Sequence, residues 1–330
     1  MNLDVTVNIK LADVVGKAGT WFPCLYIVKS DLEADEYNEY SALSELAAKY
    51  DEKTEVYAAA SKLFAQNNAP KKVAVLAQSA FSATTMAAHA TKGWRQLVLV
   101  GTHENVPEIA EYVEGAKYLM LFACVHTMEA LTTLYASVKS YDKTFIVYHT
   151  KEANAAAAVV GATAGLNAGS FTYKNMKVKG VEAEELTATE LAAIHENGAI
   201  AIVEKVGDIV TSEGKVASGE YADNVDSKDY VVQNIAYNTQ KVFNNNDKVP
   251  YTNQGIAMLE TATIEALKDA YNNGIVADNE DGTPAYSASF ALRSETTEAD
   301  RATRNYPYGQ FQFAIAGAIH NAVVNGTVTV

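Results

Sequence analysis

Only two cysteines occur in the 330 residues, Cys24 and Cys124, and they form no C-x-x-C pair. That excludes a disulfide framework or a cysteine zinc site, and two thiols fit a reducing compartment. No stretch approaches the ~18 uninterrupted apolar residues of a membrane-spanning helix. Positive charge is also scarce: 26 Lys and Arg stand against 40 Asp and Glu, a net charge of −14. Nucleic acid and anionic membranes both need a basic face, so neither is expected as a partner. The opening Met1-Asn2-Leu3-Asp4 has no basic region leading into an apolar run, so no secretion signal is expected.

Catalytic motifs are missing too. No G-x-G-x-x-G follows a strand, and there is no Walker loop and no G-x-S-x-G. Ser79 follows a strand in Ala77-Gln78-Ser79-Ala80, without the glycines of a nucleophile elbow. The six histidines form no metal-binding pair at helical spacing. Gly161, Gly165 and Gly169 follow a small-residue segment, where packing explains them better than phosphate binding. Asp278 to Asp281 is an acidic turn, with Gly282 one position too early for a calcium loop. Asp223, Asp226 and Asp229 open a helical pattern, where acids favour the helix dipole. No catalytic residue, cofactor or metal is therefore expected. One enzymatic alternative stands: His103, His126 and His149 lie near the ends of expected parallel strands, where an α/β enzyme would bind a small ligand.

What is present is a dense alternation of elements. Strands are expected over 71–77, 96–100, 118–125 and 144–149, with helices over 82–92, 106–114 and 127–138 between them. The strands are continuous apolar runs, the mark of a parallel sheet covered on both faces. Helical spacing also joins Tyr40, Leu43, Leu46, Ala47 and Tyr50, and then Val56, Ala60, Leu63 and Phe64. Residues 153–165 form a small-residue segment that continues as a last helix of this part. The second half changes character. Residues 169–181 read as extended, and Thr187-Ala188-Thr189-Glu190 is a capping box. Strands at 199–206 and 208–211 precede long helices at 226–243 and 254–273, the latter capped by Thr252 and closed by Gly274. A strand follows at 287–293. The fold class is an α/β body, a parallel sheet with crossover helices, plus an α+β C-terminal domain.

Both ends alternate. Leu3, Val5, Val7 and Ile9 do so at the start; Phe311, Phe313 and Ile315, then Val323, Val324, Val328 and Val330, are the apolar strand residues at the close. Long alternating strands at both termini either tuck into the chain's own sheet or pair with a neighbour's. The expected division is an N-terminal β arm at 1–20, an α/β domain at 21–165, an α+β domain at 166–310 and a C-terminal β arm at 311–330.

An ordered series of short matches runs along most of the chain. It begins with Tyr40-Ser41-Ala42-Leu43, Val56-Tyr57-Ala58-Ala59-Ala60, Phe64-Ala65-Gln66-Asn67 and Pro70-Lys71-Lys72-Val73. It resumes at Gly169-Ser170-Phe171-Thr172-Tyr173-Lys174, Gly219-Glu220-Tyr221, Asp229 to Phe243 and Pro250-Tyr251-Thr252-Asn253-Gln254-Gly255-Ile256, and ends at Arg301-Ala302 and Gly317-Ala318-Ile319-His320. This series resembles the contractile phage tail sheath proteins. The resemblance implies a structural, non-enzymatic subunit that stacks as hexameric rings around a tail tube, with terminal arms donating strands to adjacent subunits. On contraction, subunits of this kind move as rigid bodies and drive the tube through the host envelope. The donated strands would hold Leu3, Val5, Val7, Ile9, Val324, Val328 and Val330. The helix in the tube-contact position would present Glu260, Glu265, Lys268 and Asp269. The implied partners are further copies of the chain, the tail tube protein, and baseplate and tail terminator proteins. The implied location is the virion tail, assembled in the host bacterial cytoplasm.

Overall fold

The computed structural model describes residues 19, 21–101, 103–116, 118–323 and 325–326. Strand β1 (Phe22–Val28) and strand β2 (Glu36–Tyr40) precede helices α1 (Leu43–Ala47) and α2 (Glu55–Phe64). Then strands β3 (Val73–Gln78), β4 (Trp94–Leu99), β5 (Met120–Val125) and β6 (Thr144–Tyr148) alternate with α3 (Ala83–Ala90), α4 (Val106–Gly115) and α5 (Met128–Val138). These seven elements match the expected ones to within a few residues. Helix α6 (Ala155–Thr163) follows, then α7 (Ala188–Glu196), β7 (Ala199–Lys205) and β8 (Asp208–Thr211).

All eight strands form one sheet in the order β2-β3-β1-β4-β5-β6-β7-β8. The interior pairings are parallel and the two edge strands antiparallel. Strand β1, which the sequence patterns did not separate, is central to the sheet. Its Pro23 has no N–H to give a ladder, and it sits where the register against β4 slips between Phe22 and Pro23. Tyr40, expected on a helix, ends edge strand β2, and α1 is correspondingly short.

Side chains alternate along each strand, so one sheet supports two cores. Leu25, Val75, Val98, Phe122, Phe145 and Ile200 face α1, α2 and α6. Tyr26, Leu76, Leu97, Leu121, Ile146 and Ala201 face α3, α4, α5 and α7. Helix α6 is buried along its whole length. Its Gly161 meets α2 so closely that a Cβ there would lie 2.3 Å from the Leu63 carbonyl oxygen, which confirms a packing role for this glycine. The capping box of α7 also forms as expected: Glu190 N–H donates to Thr187 Oγ1 at 3.3 Å, and Thr187 N–H to the Glu190 carboxylate at 2.8 Å.

The C-terminal lobe consists of α8 (Ala222–Asn244), α9 (Asn253–Asn272), β9 (Tyr286–Phe290), α10 (Glu298–Ala302) and β10 (Gly309–Phe313). Thr252 caps α9 through Gly255 N–H, and Gly274, at φ +73°, closes it as expected. Tyr230, Val231, Ala266, Leu267 and Ala270 join the two long helices, and Phe311 and Phe313 pack onto them from β10.

Phe311 and Phe313 belong to β10, which pairs antiparallel with β9 of the same chain. The eight-stranded sheet continues past residue 165 through β7 and β8. Residues 169–181 are largely irregular; Lys177 bridges Val210, and this segment covers the outer edge of β8.

Candidate assembly surfaces

At the carboxyl ends of the parallel strands, the three histidines are each engaged in local contacts. His103 stacks on Tyr26 at 5.4 Å, and its Nε2 donates to the Val100 carbonyl at 2.9 Å. His126 Nδ1 donates to the His149 carbonyl at 2.7 Å. His149 is buried; Nε2 lies 3.0 Å from the Glu182 carbonyl, and Nδ1 lies 2.9 Å from the Glu184 carboxylate and close to the backbone N–H groups of Lys151 and Glu152. Each imidazole thus ties loops together. Burial holds His103 below the ordinary histidine pKa, against a smaller upward pull from backbone hydrogen bonds and Glu55. Among the described residues, no group of three or more acidic, histidine or cysteine side chains could hold a metal.

The acids at the start of α8 are not dipole partners in solvent. Asp226 and Asp229, one turn apart on the same helix face, are buried against Arg95 of β4. Arg95 Nη1 lies 2.7 Å from Asp229, and its Nη2 donates to Asp226. Lys143 also pairs with Asp229, Tyr173 Oη donates to Asp226 at 3.1 Å, and the guanidinium lies 4.9 Å from the Trp21 ring centroid. Burial opposes the charge on Arg95, but the two carboxylates outweigh it and leave its pKa above the ordinary value. Such a cluster is costly to break, because removing one member strands another charge away from water. It joins the C-terminal lobe to the amino ends of the strands and makes a stiff connection between the two parts.

The candidate tube-contact residues divide. Glu265 and Lys268 are exposed on the outer face of α9, where Ile264 is also uncovered. Asp269 turns inward and accepts from Tyr230 Oη at 2.8 Å, and Glu260 is half-buried. An open groove of ≈ 460 Å³ runs between α8 and α9, lined among others by Asn238, Lys241, Gln254, Met258 and Glu265.

The sheet edges differ in how they are protected. On β2, Glu36 pairs with Lys49 at 2.8 Å and Glu39 with Lys72 at 2.7 Å, charges of the kind that discourage edge pairing. The β8 edge is covered by residues 176–178, where Thr211 N–H donates to Met176 and Val178 N–H to Ile209, both at 3.0 Å. The β9–β10 sheet has only two strands; residues 275–278 pair at its end, where Val276 bridges Ile315, Asp278 bridges Pro284 and Ala277 N–H donates to the Ala314 carbonyl at 2.9 Å. A two-stranded sheet is marginal alone in water. Its inner face packs on α9 through Tyr286, Ala288, Phe311 and Phe313, and its outer face shows Ser287, Ser289, Gln310 and Gln312. The expected donor residues Leu3, Val5, Val7, Ile9, Val324, Val328 and Val330 lie outside the described residues.

Comparison with known proteins decides what such a lobe is. Residues 222–328 match the family described as E217 tail sheath protein gp31-like, C-terminal domain. The C-terminal lobe is therefore similar to the C-terminal domain of that tail sheath family. The body shares the fold of sheath-type proteins as well. The chain is similar to a chain of the anti-feeding prophage baseplate, with a TM-score of 0.72 and 14% identity over 100% of this chain and 98% of that one. It is similar to the PVC sheath complex of an extracellular contractile injection system in the contracted state, at a TM-score of 0.71 and 12% identity, covering 99% and 97%. The sheath tail protein of Desulfitobacterium hafniense matches at a TM-score of 0.57 and 10% identity, covering 96% and 99%. At these identities the likeness is one of fold. No curated protein sequence matches. The matched residues include the α8 acids, α9 and the β9–β10 sheet, so the surfaces singled out by geometry fall within them.

Proposed function

We propose that this protein is the subunit of a contractile tail sheath, which assembles with copies of itself around a tail tube and contracts by rearrangement of rigid bodies. The observation that carries this is the tail sheath domain match over residues 222–328, the residues that form the α8–α9 pair and the two-stranded sheet. In this reading, terminal strands of adjacent subunits add to the β9 and β10 edges. Leu3, Val5, Val7 and Ile9 supply one strand, and Val324, Val328 and Val330 the other. Main-chain hydrogen bonds hold such a joint, so it survives changes in the angle between bodies. The outer face of α9, with Glu265 and Lys268, meets the tube. Copies form hexameric rings, the terminal rings meet baseplate and terminator proteins, and assembly takes place in the bacterial host before the particle is released.

The energy source is the arrangement of subunits. A head-to-tail contact that does not close on itself builds helical arrays. Small gains of inter-subunit contact, repeated over many copies, then supply the work of contraction without nucleotide hydrolysis. The stiff Arg95–Asp226–Asp229 connection suits a subunit that must transmit force without unfolding.

Deleting residues 1–10, or residues 324–330, tests the strand joint. Each truncated protein is expected to remain folded by circular dichroism and to sediment as a monomer under conditions where the full chain assembles. Truncated proteins that assemble like the full chain contradict the joint.

A further inference from the structure

Arginine is unevenly placed in this sequence. Of the four arginines, Arg95 is in the buried cluster, and Arg293, Arg301 and Arg304 lie together in the turns around α10. The three have distinct roles. Arg301 Nη1 donates to the carbonyls of Thr296 and Arg293, and so braces the 3₁₀ turn Arg293–Glu295. Arg293 and Arg304 are exposed, and among the described residues neither guanidinium meets a carboxylate. Leu292 beside them is 51% exposed.

Arg304 is also held in an unfavourable backbone conformation. It follows the last turn of α10 at φ +58°, with Asn305 N–H donating to Asp300 O at 2.9 Å and Arg304 N–H to Arg301 O at 3.3 Å. This is the helix-ending turn in which glycine is the favoured residue. An arginine there keeps a backbone strain that glycine would relieve. The turn leaves the Arg304 guanidinium exposed on a braced loop, near an exposed leucine. In a chain of net charge −14, that is a surface made for an acidic partner.

A surface of opposite charge lies on the α/β body. Glu108 and Glu111 lie one turn apart on α4 and Glu104 just before it, all exposed, and α4 itself contains no lysine or arginine. Glu114 on the same helix is already engaged, accepting from the backbone N–H groups of Asp142 and Lys143. The acids begin just after the carboxyl end of β4. The C-terminal lobe is joined to the body at Arg95 and Lys143, through the start of α8. Arg293 N–H donates to Asn253 Oδ1 and Tyr251 Oη to the Asn305 carbonyl, which places the arginine turns at the start of α9, the other end of the α8–α9 pair. The two surfaces are thus apart within one chain, whereas two copies placed head to tail bring them together.

We infer that Arg293 and Arg304, with Leu292, dock on the Glu104–Glu108–Glu111 face of α4 in a second copy of this chain. This contact is distinct from the strand joint, and it rests on the reading of the chain as a self-assembling sheath subunit. Guanidinium groups suit it because each can hold a carboxylate through two parallel hydrogen bonds.

Charge reversal tests the contact. The R293E/R304E protein is expected to need at least about tenfold more protein than wild type to assemble, read by sedimentation. Adding E108R/E111R to the same chain is expected to restore assembly toward the wild-type concentration. R304G serves as a second variant that improves the fold: its thermal midpoint is expected to rise while its assembly weakens. Reversal or R304G that assembles at the wild-type concentration overturns the contact and leaves the sheath reading intact. A charge swap that gives no recovery overturns the pairing with α4. Wild-type protein that never assembles contradicts the sheath reading itself, and the contact with it.

Discussion

Arg95 of β4 and Asp229 of α8 lie 2.7 Å apart in the interior, 134 positions apart in the chain. Together with Asp226 they fix the C-terminal lobe to the sheet. Such a buried pair suits the rigid-body movement proposed for the subunit. Arg95→Ala leaves two buried carboxylates with one partner fewer, at a cost of about 3–5 kcal/mol. Arg95→Met combined with Asp226→Asn and Asp229→Asn is expected to recover much of that loss, because it removes the stranded charges. Urea unfolding of the two variants checks this; equal stabilities for wild type and Arg95→Ala would remove the cluster from the account.

The contact between α6 and α2 depends on the lack of a side chain at Gly161. Gly161→Ala places a methyl against the Leu63 backbone and is expected to destabilise the protein by about 1–3 kcal/mol, the usual range for overpacking. Gly207→Ala is a useful contrast, since a Cβ there meets no atom within 4 Å and only the φ of +81° is strained. Thermal unfolding should rank Gly161→Ala as the worse of the two.

Acid is expected to weaken the fold through buried histidine. Burial holds His103 neutral to a lower pH than in the unfolded chain, whose histidines take up protons near ~6.5. Between those two values the unfolded state binds more protons. Stability is therefore fully present above ~6.5 and is lost as pH falls toward the folded-state value. His89 and His195 are shifted the same way by burial. His103→Phe keeps a ring against Tyr26 and removes one proton site. Its stability should fall less steeply between pH 6.5 and 5 than that of wild type, measured by urea titration at each pH.

The outer face of α9 is tested by Glu265→Lys and Lys268→Glu. Both side chains are exposed, so each change should alter monomer stability by no more than about 0.5 kcal/mol. The expected effect is on co-assembly with tube protein, read as the amount of sheath that pellets with preformed tubes. An unchanged yield for both variants would separate this face from the tube.

The sequence carried the middle of the sheet plainly. Strands β3 to β6 are short apolar runs set off by helices with their own apolar faces, and nothing else satisfies both patterns. Caps were equally legible, since Thr187, Thr252 and Gly274 act through their immediate neighbours. Strand β1 was hidden because Pro23 argues against a central strand, and only its pairing with β4 shows that the ladder slips there. Strand β2 carries tyrosines at spacings that also suit a helix. The α8 acids were misread for a different reason. An aspartate in the first turns of a helix looks the same whether it faces water or an arginine from a distant strand. The partnership of Asp226 with Arg95 spans 131 positions and leaves no local trace. The terminal strand residues are a further case, because an alternating strand does not reveal which chain it pairs with.

Cryo-electron microscopy of the purified full-length protein at high concentration tests the central claim most directly. The account predicts rings or tubes in which strands from neighbouring copies extend the β9–β10 sheet on its open edges. Protein that stays monomeric, with its own terminal strands folded onto β9 and β10, would contradict it.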